Sequence, residues 1–399
     1  MELRLDPEEL SWGQDFANSR EPAKMLKIIA KSPRSLETGI VDIEVKPVPE
    51  PIRPKEKATE DLGNMRRLPN EIFDMIINKL DVPSAISLSY VNRIANELVQ
   101  KSPVAFLRQW APGMPKILKK TQIHKNWSIH ELKEAIMREK CVVCGASSVQ
   151  LYLPTMERIC HPCLHENHSY WCLPIEKAAI IFGLDLPDLI NSQTMFLPRL
   201  SRNESDLGDL GAWVIPVRLA LIKALQLYGT RRGIKHAVEG TVPSTDGEEE
   251  SGTPDDDDDD DDDDEEFVVE NLYDIYRAAP LNSPNSVKLR LLISMGNYHQ
   301  YAHHHEVACR VSVVNRDNTR KIHYSCRGCI AMLTHPKTES ISDSHMKMMR
   351  LDPALDKYER SFAIFRRAFS VWTEADMIEH IRSECIGGWF LLHAEGQNE

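Results

Sequence analysis

Two pairs of cysteines constrain this chain more than any other feature. Cys141-Val142-Val143-Cys144 and Cys160-His161-Pro162-Cys163 each set two thiols three residues apart, with fifteen residues between the pairs. A tight turn aims thiols at i and i+3 at one ion. Two such turns supply four ligands and close a tetrahedron, the geometry Zn2+ takes in structural sites. Gly145 follows the first pair directly and permits the turn. Four thiolates leave no open position, so the spacing predicts a structural metal and no chemistry at it. His161, His165, His168 and Cys172 lie close by and are read as surrounding groups, because four cysteines already suffice.

A second constellation is more scattered. Cys326-Arg327-Gly328-Cys329 repeats the turn, and His380 and Cys385 stand at the end of a helix announced by Thr373-x-x-Asp376. The expected second site is Cys326, Cys329, His380 and Cys385, with Cys309 as the alternative ligand. The expected cofactor is therefore structural Zn2+, two ions per chain. Nine cysteines are an odd number, and their clustering favours metal over a disulfide framework in a reducing compartment. The first sixteen residues contain no apolar signal core, and no apolar run approaches the roughly eighteen residues of a membrane span. An intracellular protein, cytoplasmic and/or nuclear, with no membrane partner, is the expectation.

The net charge of −12 comes from one place. Asp255 to Glu266 is an unbroken run of twelve acids; without it 48 acidic residues face 48 Lys and Arg. The rest of the chain is balanced and gives no electrostatic reason to expect bulk nucleic-acid binding. Lys116, Lys119, Lys120 and Lys125 cluster but read as a solvated face. The acidic run, with the Gly, Ser, Thr and Pro before it, predicts a disordered linker over 239–266.

Around these landmarks the chain divides further. Residues 1–63 read as a largely disordered extension: a short amphipathic helix ending near Met25, Ile28 and Ile29, then a Pro-rich tether with one strand-like alternation at Ile40–Val45. From 64 to 111 the pattern is helical. Leu68-Pro69 suits a helix start. Ile72, Met75, Ile76 and Leu80 then recur at helical spacing, Asp81-Val82-Pro83 interrupts, and Ala85, Leu88, Val91, Ile94 and Leu98 form a second stripe. Pro112 to Asn126 reads as a connector. Ser128-x-x-Glu131 is a capping box for a helix from Ile129 to about Lys140. The middle domain is expected over 128–238, with apolar helices at 174–182, 186–190 and 217–228, the last ended by Gly229. A C-terminal domain is expected over 267–395, with helices at 272–279 and 287–295, strands at 307–314 and 321–324, and the second metal site. The fold class is mainly α, with α+β character in the zinc-binding parts.

The order Leu68-Pro69-x-Glu71-Ile72, Ile76-Ile77, Leu80, Ala85, Leu88, Val91-Asn92-Arg93, Leu98 resembles the F-box. Asn92 stands where Ser or Cys is usual. The resemblance implies a three-helix module that docks on the small adaptor subunit of cullin-RING ubiquitin ligases. It also implies that Leu68, Pro69, Ile72, Ile76, Leu80, Leu88 and Val91 make that contact. With the cysteine pairs, Ser325-Cys326-x-Gly328-Cys329 and His380-x4-Cys385, the chain is similar to a group of fungal F-box proteins with zinc-knuckle C-terminal regions. The implied function is a non-catalytic substrate receptor of an SCF-type ligase. Its partners would be the adaptor, the cullin scaffold and an unidentified target protein. The competing expectation is a zinc-dependent nucleic-acid-binding or regulatory protein. Enzymatic activity is least expected, for the chain has no phosphate loop, dinucleotide fingerprint or His-Glu-x2-His.

Overall fold

Prolines and capping side chains cut the 62–137 region into helices. The structure, a computed structural model, describes residues 7–31, 62–190, 194–197, 211–240, 272–279, 281, 307–334 and 342–396. Three helices, Asn70–Lys79, Val82–Ser89 and Arg93–Lys101, follow the Leu68-Pro69 start. Asp81 caps the second by accepting the Ser84 N–H at 2.7 Å, and Asn92 caps the third by accepting the Ala95 N–H at 2.7 Å. Each satisfies a donor the helix cannot, worth about 1 kcal/mol. Phe73, Ile77, Val82, Ala85, Ala95 and Val99 are buried. The sequence stripe on the first helix is thus turned outward. Phe73 and Ile77 fill the core, while Ile72 and Met75 face solvent.

Past Trp110 the expected connector is itself helical. Met114–Lys120 is a helix with Pro in its first turn, where the missing N–H costs nothing, and Ile117 and Leu118 are buried. The Ser128–Glu131 capping box is present on both sides and starts the Ile129–Met137 helix, whose Ile129, Leu132 and Ile136 are buried. This helix packs against both Asn70–Lys79 and Pro103–Trp110.

The chain divides into two compact units, Met1–His165 with His305–Glu399, and Glu166–His304. This departs from the expected domain plan. The 128–238 stretch is split, because its first helix and cysteine pairs belong to the first unit and its helices from Ile175 on to the second. Within the first unit its two chain segments join in a three-stranded antiparallel sheet, in which Gln150–Tyr152 lies between Glu157–Arg158 and Ala308–Arg310, with Leu151 opposite both Arg158 and Cys309. The expected 307–314 strand is interrupted. Val313–Val314 pairs instead with Arg320–Lys321.

Arg158 locks this join. It is fully buried, and its guanidinium donates to four backbone carbonyls: Ala135 at 3.2 Å, Ile136 at 2.9 Å, Val311 at 2.6 Å and Ser312 at 3.3 Å. Two of these are end carbonyls of the Ile129–Met137 helix, which lack intrahelical donors and carry its negative pole. Burial pulls the arginine down to about 10, against the charge of Cys309, which raises it. Burial likewise pushes the Cys309 thiol up to about 12, with Arg158 opposing.

The N-terminal segment also departs from its reading as a disordered extension. Pro7–Ser19 and Pro22–Ile29 are helices, and Ala30–Lys31 pairs antiparallel with Ser325–Cys326, Ala30 opposite Cys326. Ala17, Met25 and Ile29 are fully buried in one apolar core with Cys326, Cys385, Ile381 and Trp389. Helical propensity was legible there, but the partner some 300 residues on was not. C-terminal helices Arg327–Thr334, Lys357–Ala368, Glu374–Ser383 and Ile386–Gly396 complete this core.

The Glu166–His304 unit has its own small antiparallel sheet, with Ala212–Pro216 between Cys172–Pro174 and Met195–Leu197. Helices Ile175–Phe182 and Val217–Tyr228 end at Gly183 and Gly229, both at positive φ. Leu272–Arg277, expected in the C-terminal domain, belongs here. Tyr276 joins the core of Trp171, Phe182 and Leu221. Arg277, also buried, bonds Asp274 at 2.9 Å and the Ile181 carbonyl at 2.9 Å. The expected tether at 32–61, strand at 40–45, acidic linker beyond Gly240 and helix at 287–295 lie outside the described residues. No helix among those described is long and apolar enough to cross a membrane. The protein is mainly α, with small sheets beside the cysteine clusters.

Replacing Arg158 with Met would keep volume and strand its carbonyl acceptors. Each buried acceptor left unpaired costs about 1–3 kcal/mol. Arg158→Met is expected to lose about 3 kcal/mol or more from this unit, read as a lower urea midpoint and faster hydrogen exchange over 129–158.

Candidate metal centres

Cys141 and Cys144 sit in a turn closed by the Gly145 N–H on the Cys141 carbonyl at 2.9 Å, with Gly145 at φ +72°. That conformation is the reason a glycine follows the pair. The Val142 N–H donates to the Arg158 carbonyl at 2.9 Å, holding this turn against the strand that leads to Cys160. Cys160 then precedes the short His161–Glu166 helix, which carries Cys163. Ligand atoms of Cys141, Cys144, Cys160 and Cys163 all lie within 4.8 Å of one another, and Cys144 Sγ is 3.5 Å from Cys160 Sγ. Cys144 alone of the four is exposed.

The second group is Cys326, Cys329, His380 and Cys385, again within 4.8 Å of one another and all buried. Cys326 Sγ is 3.2 Å from Cys385 Sγ, and Cys329 Sγ is 3.9 Å from Cys385 Sγ and 3.2 Å from His380 Nε2. Cys309 stands elsewhere, on the Ala308–Arg310 strand beside Arg158, so the alternative ligand set does not assemble.

Both sets fit zinc. A tetrahedron with Zn–S bonds of about 2.3 Å has edges of about 3.8 Å, and the sulfur separations scatter around that length. All nine cysteines are free thiols. The sulfurs are close enough to perturb one another's ionisation. Hydrogen bonds from Cys141, Cys160 and Cys163 hold Cys144 well below the thiol range, and those with Cys141, Cys144 and Cys160 push Cys163 up. In the second set burial opposes ionisation, yet hydrogen bonds from Cys329, Cys385 and His380 take Cys326 well below its ordinary value. A divalent cation resolves such crowding by replacing the shared protons.

Groups around the second set fix its geometry. His380 Nδ1 is 3.0 Å from Glu384 Oε1, which leaves Nε2 facing Cys329 as a lone pair would have to face a metal. Glu384 is held by Arg367 at 3.1 Å, and Trp372 stacks on His380 with centroids 4.6 Å apart and planes within 8°. Burial lowers the His380 pKa, but the charge of Cys385 and hydrogen bonds from Cys326, Cys385 and Glu384 outweigh it and push it up to about 12. Sequence reasoning missed Glu384, Arg367 and Trp372; the only available signal was the i, i+4 spacing of His380 and Glu384. Cys326 and Cys385 each precede a helix, Arg327–Thr334 and Ile386–Gly396, so helix N-termini favour the thiolates. These two helices cross where Gly328 meets Gly387 and Gly388, and a Cβ on Gly387 would overlap the Gly328 carbonyl.

The helical module presents a separate, apolar face. Met75 and Val91 are each 63% exposed and Tyr90 57%, with Leu68, Pro69 and Ile72 also outside. Ile76, Leu80 and Leu88, the remaining residues of the expected contact, are half-buried. Exposed apolar residues gathered on one short module are what protein interfaces commonly use.

A family model, the F-box domain, matches residues 65–107. The chain therefore carries an F-box domain, within one to four residues of the 64–111 bounds read from its pattern. Comparison with curated proteins and with solved structures gives no match.

Two outcomes follow from the geometry. Cys160→Ser is expected to remove one of two zinc equivalents, measured by elemental analysis of protein prepared without chelator, and to loosen the sheet at Gln150–Tyr152. Gly387→Ala is expected to lower zinc retention at the Cys326 cluster by tenfold or more, because about 1.4 kcal/mol of strain already gives that factor. A chelator titration reads it.

Proposed function

We propose that this protein is a substrate-receptor subunit of a cullin-RING ubiquitin ligase. Its F-box would dock on the ligase adaptor and so on the cullin scaffold, and the remainder would hold a target protein. The observation that carries the reading is the F-box match at 65–107 together with the bare apolar residues on that module. Such a receptor performs no bond chemistry. It holds the target near the ubiquitin-charged enzyme and turns a bimolecular encounter into a tethered one, where effective concentrations reach millimolar. Both cysteine clusters would hold structural Zn2+, since their ligand sets are complete and leave no open position. An intracellular location, cytoplasmic or nuclear, belongs to the same reading.

The test is adaptor binding by the full chain. Ile72→Glu/Met75→Glu places charge at two exposed positions, so the fold is expected to survive. Adaptor recovery in pull-down is expected to fall at least a hundredfold, as two buried unpaired charges at an interface each cost several kcal/mol. Unchanged recovery with intact zinc content would remove the receptor reading.

A further inference from the structure

One helix touches both metal clusters. On Lys357–Ala368, Phe365 lies one turn from Phe369, which follows directly on the helix, and together they face the first cluster. The Phe369 ring stacks on His161 with centroids 4.2 Å apart and planes 25° apart, and the Phe365 ring lies 5.0 Å from His165. His161 is the residue after Cys160, and His165 is two after Cys163 on the same short helix. The neighbouring stripe faces the second cluster. Ile364 and Ala368 are buried in the core that contains Cys326, Cys329 and Cys385. Arg367 binds the Glu384 carboxylate at 3.1 Å and its carbonyl at 3.3 Å, and that carboxylate orients His380. Just beyond the helix, Trp372 stacks on His380 and exchanges backbone hydrogen bonds with Tyr324 at 2.8 and 2.9 Å, two residues before Cys326.

We propose that Phe365, Phe369 and Arg367 position the two clusters against one another, so that filling either site with zinc raises the affinity of the other. The inference rests on the zinc reading above. The physical reason is that a structural zinc site must be assembled as well as filled. With the first cluster empty, the His161–Glu166 helix loses the anchor that holds His161 and His165 against the phenylalanines. Helix Lys357–Ala368 is then free to shift, and it carries Arg367 and the Glu384 clamp with it. The second zinc must supply that ordering by itself and binds more weakly. Coupling is reciprocal, so the effect has one size in both directions.

The experiment is a titration of the zinc-loaded full chain with a metallochromic chelator. Both ions are expected to leave over one narrow range of chelator. Cys144→Ser is expected to loosen the second cluster by at least about fivefold, and Cys329→Ser to loosen the first by the same factor. Phe365→Ala/Phe369→Ala is expected to retain both ions and release them in two independent steps. Phe369→Tyr keeps a ring for stacking and is expected to release them together. Cobalt substitution separates the sites, because four-sulfur and three-sulfur-one-nitrogen ligand fields absorb differently. If a cysteine variant is insoluble, the wild-type release curve still decides. Two zinc ions leaving the wild type independently overturn the coupling and leave the zinc reading standing; a chain that binds no zinc removes both.

Discussion

A full positive charge with no access to water sits where the chain changes direction. Arg158 is answered by carbonyls alone, from the end of the Ile129–Met137 helix and from residues 311 and 312. No neutral side chain of that length could satisfy four carbonyls from two segments, and the geometry is specified by the flat fork of the guanidinium. The F-box helices rest on the Ile129–Met137 helix, the first cysteine pair is bonded to the Arg158 backbone, and the Ala308–Arg310 strand completes the sheet beside it. The F-box domain, the first cysteine cluster and the returning chain therefore share one electrostatic anchor. Fully buried arginines are rare unless paired, and a second instance, Arg277 with Asp274, does the corresponding task in the Glu166–His304 unit.

Local signals were read well, and the reason is that they are local. Ser128 and Thr373 cap helices within three residues of themselves, so their meaning survives without tertiary context. The cysteine turns are likewise short, and His380 with Cys385 was legible because a capped helix presents them. Lost to the sequence were pairings between two- and three-residue strands. Ala30–Lys31 with Ser325–Cys326, and Gln150–Tyr152 with Ala308–Arg310, are too short to show a period of two. That is why the N-terminal helices and the Cys141–Cys163 segment were not assigned to one unit with the C-terminal part. The acidic run looked like a boundary, yet the units divide at 165/166 and 304/305. Phe73 was overlooked for a different reason: Asn70–Lys79 carries two adjacent apolar stripes, Ile72 with Ile76 and Phe73 with Ile77, and periodicity cannot say which is inside.

The two cysteine clusters differ in kind. The Cys141 group keeps Cys144 at the surface, whereas the Cys326 group is wholly enclosed, beneath a helix crossing that only glycines permit and beside the N-terminal Ile29. Exposure governs exchange and oxidation of a thiolate more than its intrinsic affinity does. The first centre is therefore the one open to competing ligands and oxidants, and the second is the kinetically sheltered one.

The pairing of Ala30 with Cys326 has a consequence for how the chain is made. Almost 300 residues separate these positions, and at about 5–20 residues per second the ribosome needs roughly 15–60 s to bridge them. Throughout that interval Met25 and Ile29 have no core to enter, although the F-box behind them can already close on contacts near in sequence. The Pro22–Ile29 helix is thus made long before the core that buries it. A nascent chain of this kind exposes a short sticky helix for that whole interval, and the cell must shield it until the Gly387–Gly388 crossing arrives.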